Sequence, residues 1–182
     1  MKKAIKKLLV LSMALGILVG CGGKTGETGD KSGKNDTAVT SQQVKLVEKD
    51  GLLTYTDTKN SPFEESGLKI SIKKGNEGYA KFIKTDLNGG ETVEYYNFDY
   101  GKNIAGKYYY VSAMGTGFYY YYDLEKGELV KVEDKEHNDT TQKTKDSKRW
   151  DKAAESMDEE VKALEKYFKE QFSMTIKEAV GK

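Results

Sequence analysis

One cysteine, one proline, one histidine and one tryptophan stand in 182 residues. A lone Cys21 allows no disulfide within the chain. A lone His137, set in a polar stretch, supplies neither a Ser-His-Asp triad nor a two-histidine metal site and reads as a surface residue. Pro62 falls in the loop Asn60-Ser61-Pro62, so nothing breaks the periodic segments around it. The apolar run from Leu8 to Val19 is shorter than the ~20 residues a membrane-spanning helix needs. Charge of one sign is missing too: 30 Lys and Arg face 29 Asp and Glu, and without a basic excess nucleic acid is excluded as a partner. Carboxylates are plentiful, but Glu64-Glu65 and Glu159-Glu160 are adjacent acids of a charged surface, and no catalytic pair stands out from them. Asp86, Asn88 and Glu91 lack the oxygen spacing and glycine position of an EF-hand. No catalytic residue, metal ligand or cofactor is expected.

What is present begins at the amino terminus. Lys2, Lys3, Lys6 and Lys7 precede the Leu8–Val19 run, and no acid occurs in residues 1–20. That order, basic then apolar then small, is the order of a secretory signal. It ends in Leu18-Val19-Gly20-Cys21, a string that resembles the lipobox of bacterial lipoproteins. The resemblance covers residues 1–21. It implies removal of residues 1–20 and a diacylglycerol on the Cys21 thiol, with a fatty acid such as palmitate carried in the lipid. It also implies an address on the extracytoplasmic face of the cell membrane, of the Gram-positive type given the glycine after Cys21 and the lysine-rich composition. Losing residues 1–20 takes away four lysines and no acid, leaving 26 basic against 29 acidic residues and a formal charge of −3. Residues 21–42 then form a linker rich in Gly, Thr, Ser, Lys and Asp, whose ~21 residues reach roughly 25 Å as a flexible coil.

Residues 43–182 suffice for one domain with its own core. A period of two runs through it up to Glu133 and predicts strands at Val44–Glu48, Leu52–Thr56, Leu68–Ile72, Tyr79–Lys84, Thr92–Asp99, Tyr108–Ala113, Phe118–Asp123 and Leu129–Glu133. Asp50-Gly51 suits a tight hairpin turn. Asp86-Leu87-Asn-Gly-Gly90-Glu91-Thr-Val93 and Asp123-Leu124-Glu-Lys-Gly127-Glu128-Leu-Val130 share one pattern 37 residues apart. Each reads as a strand-turn-strand corner in which Asp holds the turn amides and the glycine four residues on takes a left-handed conformation. Residues 134–146 contain no apolar side chain and are expected to be a polar tether. A helix of about 147–178 follows, with Trp150, Ala154, Met157, Val161, Leu164, Phe168 and Phe172 on one face. The expected fold is therefore mainly β (α+β): an antiparallel meander, sandwich or small barrel of about 7–8 strands, with one long C-terminal amphipathic helix packed on the sheet.

Tyr108 to Tyr122 holds seven of the 13 tyrosines and Phe118. Alternation puts rings on both faces, so the hairpin is either a cross-strand ladder or a displayed platform. The candidate binding surface is Tyr108, Tyr110, Phe118, Tyr120 and Tyr122, with Tyr96, Phe98 and Tyr100 as a continuation. Met114-Gly-Thr-Gly117 reads as the tip of that hairpin. The expected function is a membrane-anchored extracytoplasmic lipoprotein acting as a non-enzymatic binding module at the cell envelope. Its partners are the membrane, through the N-terminal diacylglycerol, and a protein or a glycan. Two alternatives stay open: a carrier of an apolar ligand in a barrel or helix-capped sheet, and an envelope hydrolase using paired carboxylates.

Overall fold

A computed structural model describes residues 44–181. The leader, the lipobox residues Leu18, Val19, Gly20 and Cys21, and the linker lie outside the described residues.

Eight strands follow one another in space as they do in sequence: β1 Val47–Lys49, β2 Leu52–Asp57, β3 Gly67–Lys73, β4 Tyr79–Thr85, β5 Glu91–Asp99, β6 Ile104–Val111, β7 Thr116–Asp123 and β8 Glu128–Asp134. Every strand pairs antiparallel with its sequence neighbour, and β1 and β8 are the two edges. Of the three architectures expected, this is the meander; the sheet does not close. Among the described residues three α-helices complete the fold: α1 Thr141–Asp146, α2 Trp150–Phe172 and α3 Ile176–Val180.

The turns follow from their residues. Asp50 and Gly51 both take positive φ, 52° and 76°, which matches the twist of a two-residue hairpin. Asp123 Oδ1 accepts from the amides of Glu125 and Lys126, and Gly127 is left-handed at 69°, as its pattern predicts. In the first copy Asp86 Oδ1 accepts from Asn88 and Gly90 instead, and the left-handed residue is Gly89, one place earlier than expected.

Register aligns one side chain per strand into rows across the sheet. Ile70, Phe82, Tyr96, Lys107, Tyr120 and Val132 form one row facing the helices. Ile72, Ala80, Phe98, Ala105, Tyr122 and Leu129 form the next. Onto them α2 lays Met157, Val161, Leu164, Phe168 and Phe172, all buried, in the three-and-four spacing read from sequence. Burying such side chains stabilises the fold by about 1.5–3 kcal/mol each. At the far end Tyr167 donates to Asp57 Oδ2 at 2.7 Å, and both side chains are buried. Burial alone would raise the Asp57 pKa, but the amides of Asn60 and Lys59 and the Tyr167 hydroxyl outweigh it and hold the carboxyl below its ordinary value. A charge this deep is tolerated because three hydrogen bonds, from the Lys59 and Asn60 amides and the Tyr167 hydroxyl, replace water.

Two departures from the sequence reading have simple causes. The C-terminal helix is not continuous over 147–178: Ser173 turns left-handed at φ 56° and stops α2. Thr175 and Glu178 then make a reciprocal capping box that starts α3, returning Ile176, Ala179 and Val180 to the core. The polar stretch 134–146 is not a free tether either. Thr140 donates its amide to Val132 O at 2.8 Å, the Val132 amide donates to Thr141 Oγ1 at 3.0 Å, and α1 follows. Threonines satisfy the exposed edge of β8, a task that needs polar rather than apolar residues.

Candidate functional site

The helices cover one face of the sheet, and successive residues of a strand point to opposite faces. The other face therefore carries the partners of the buried rows. Tyr95 pairs with Tyr108, and Tyr108 with Tyr119, at the centre of that face. Their rings form a row: Tyr95 and Tyr108 stack with centroids 5.8 Å apart, and Tyr108 and Tyr119 lie 4.8 Å apart, tilted by 43°. His137, from the turn after β8, stacks on Tyr119 at 4.4 Å and 20°. At the opposite end the Lys81 ammonium lies 4.2 Å over the Tyr95 ring. Each ring turns its face to a neighbour, so the row shows solvent its edges and hydroxyls. Val93 and Tyr110, 59% and 38% exposed, extend the same face toward the end of the sheet.

A polar cluster closes the His137 end. Glu133, only 7% exposed, accepts from Tyr121 at 2.6 Å, pairs with Lys131 at 2.5 Å and faces His137 Nδ1 at 3.0 Å. Lys131 chiefly, then Tyr121 against the effect of burial, then His137, pull the Glu133 pKa from 4.5 down to about 2. A carboxyl whose pKa is depressed on folding contributes stability that is fully present above its unfolded value and lost as pH falls through its folded value. The stability of the wild type relative to Glu133→Gln is thus expected to shrink between pH 4.5 and about 2, measured by denaturant unfolding across that range.

Gly117 makes the row possible. A Cβ there would stand within 2.6 Å of Cε2 of Tyr108, and closer still to Cζ and the hydroxyl. Gly117→Ala is expected to swing Tyr108 out of the stack at a cost of about 1–3 kcal/mol. The loss of ring-current shifts on the Tyr119 and Tyr95 protons, read by NMR, checks it.

The five residues singled out from sequence do not share a face. Tyr108 and Tyr110 lie on the uncovered side, whereas Phe118, Tyr120 and Tyr122 point toward the helices. Tyr122 is 3% exposed and donates to Asp158 at 2.5 Å. Burial first, then the Asp158 carboxylate, raises its pKa. The parity across the connection decides this: Tyr109, not Tyr108, stands opposite Phe118. A 3-10 turn at Ser112–Met114 with left-handed Gly115 sets that count. The continuation is corrected likewise: Tyr96 and Phe98 are fully buried, and Tyr100 packs against the core. Sequence reasoning missed Tyr95, Glu133 and the stacked position of His137. Tyr95 had a signal, since it alternates with Tyr96; the other two depend on the turn after β8.

Among the described residues no three His, Cys, Asp or Glu side chains come together as metal ligands would, and no helix is long and apolar enough to cross a membrane. Compared with protein-family models, with curated proteins and with solved structures, the chain matches none.

Proposed function

We propose that the chain is a lipid-anchored, extracytoplasmic binding module without catalytic activity, and that it engages a protein partner through the uncovered face of its sheet. The observation that carries the reading is the Tyr95–Tyr108–Tyr119–His137 row, left without a covering layer among the described residues while the other face is packed beneath helices. Tyrosine edges and hydroxyls suit a protein surface, where rigid amphipathic rings contribute area at small entropic cost. A sugar would instead seek a free ring face, and both ends of this row are occupied, by Lys81 and by His137. Phe82, Phe98, Leu164 and Phe168, all fully buried, fill the layer between sheet and helices, which weighs against an apolar cargo there. Lipidation at Cys21 and the linker of residues 21–42 would hold the face within reach of the envelope.

The test is a benzophenone side chain installed at the exposed Tyr110 in cells and activated by light, with Lys166 on the solvent side of α2 as the control position. The reading predicts one discrete protein adduct from position 110, none from 166, and its disappearance when Gly117→Ala is added. Adducts that are equal at both positions, or that survive Gly117→Ala, contradict it. So does co-sedimentation with purified wall glycan that Gly117→Ala abolishes.

A further inference from the structure

On the helix side of the sheet, where α2 begins, the two layers part and leave a cleft of about 450 Å³. Its floor is aromatic, made by Tyr109, Phe118 and Tyr120 of β6 and β7. Ala153 and Met157 form the apolar wall opposite. At the inner end Lys107 and Glu160 make an ion pair at 2.5 Å, with side chains only 10% and 21% exposed. That pair consumes the cleft's one carboxylate. Arg149 and Lys152, also lining it, have no carboxylate partner within salt-bridge distance among the described residues. The Arg149 side chain makes a local hydrogen bond among the described residues, Nε donating to Ser147 Oγ at 2.9 Å. The site thus joins a ring-lined slot to two uncompensated positive charges, and its volume falls in the range of small-molecule pockets.

We infer that this cleft binds a small aromatic monoanion, its ring system lying between Tyr109, Phe118, Tyr120 and Met157 and its acid group held by Arg149 and Lys152. The ring is favoured over an acyl chain because the floor offers aromatic surfaces, against which another ring gains beyond the area it buries. The acid group follows from charge: an unpaired guanidinium and ammonium at the rim favour a carboxylate, sulfonate or phosphate by charge-assisted hydrogen bonds. Carboxylates are repelled from the inner end only weakly, since Lys107 neutralises Glu160. This site stands apart from the uncovered face, on the opposite side of the sheet, and either can fail without the other.

The experiment is calorimetric titration of the full-length chain with naphthalene-2-sulfonate, with neutral 2-naphthylmethanol and with octanoate. Saturable one-to-one binding of the sulfonate is expected, at least tenfold tighter than either comparison compound. Arg149→Ala combined with Lys152→Ala changes exposed residues that the fold does not need. It is expected to weaken the sulfonate at least tenfold while changing the alcohol less than twofold. Ala153→Trp, which fills the slot, is expected to abolish binding of all three. The inference is overturned if the sulfonate shows no saturable binding, if it binds no tighter than the alcohol or octanoate, or if the double variant binds it as the wild type does.

Discussion

Replacing Cys21 by Ala is expected to abolish incorporation of a fatty-acid label and to move the protein from the detergent-rich to the aqueous phase on phase separation. The effect should be close to complete because the proposed attachment rests on one thiol: Cys21 is the chain's only cysteine. Buried acyl carbon contributes ~0.8 kcal/mol per methylene, so one chain holds a protein only reversibly while the two of a diacylglycerol hold it stably. Among the described residues no helix is long and apolar enough to cross a membrane. Labelling that persists in Cys21→Ala, or a wild-type protein that takes up no label, would end the lipoprotein reading and leave the sheet without its proposed tether.

The second large effect concerns the fold. Phe168→Ala is expected to destabilise the domain by about 3–5 kcal/mol, the range for large-to-small changes at fully buried aromatic sites. Phe168 is 0% exposed and sits where helix and sheet meet, edge-on to Phe82 at 6.0 Å and against Phe172 at 4.7 Å. Its removal leaves a cavity that β4 and α2 cannot both close, because each is fixed by its other buried neighbours. The melting temperature should fall by about 10–20 °C for a domain of this size. Differential scanning calorimetry reads it directly, and a shift of under 3 °C would mean that α2 is not the lid of the core.

Much of this architecture is legible in the sequence. Alternation of Leu68, Ile70 and Ile72 with Lys69, Ser71 and Lys73 marks the strand Gly67–Lys73, and Asp50-Gly51 marks the hairpin turn between β1 and β2, because both signals are local. The stripe from Trp150 to Phe172 is equally plain, since helical spacing repeats over six turns. What the sequence hides is parity. Whether Tyr108 faces Phe118 or Tyr119 is settled by the count of residues in the Ser112–Met114 turn, and one residue more or less moves every ring to the other side. The same holds for His137. It reaches Tyr119 because Asp134 draws the turn tight, accepting from the amides of Glu136 and Asn138 through Oδ1 and from that of His137 through its carbonyl, with His137 itself left-handed at φ 65°. No periodic pattern announces such a turn. The stretch 134–146 looks like a tether for a related reason: a segment that docks by hydrogen bonds to a strand edge has no apolar signature to read.

The most direct test of the binding face is tyrosine iodination, mapped by mass spectrometry on the purified protein and again on the protein in living cells. Tyr110 and Tyr119 are expected to take iodine when the protein is alone and to be protected in cells, while buried Tyr96 and Tyr122 stay unlabelled in both. Equal labelling of Tyr110 and Tyr119 in cells and in isolation would mean that nothing occupies the face, and would contradict the proposed binding role.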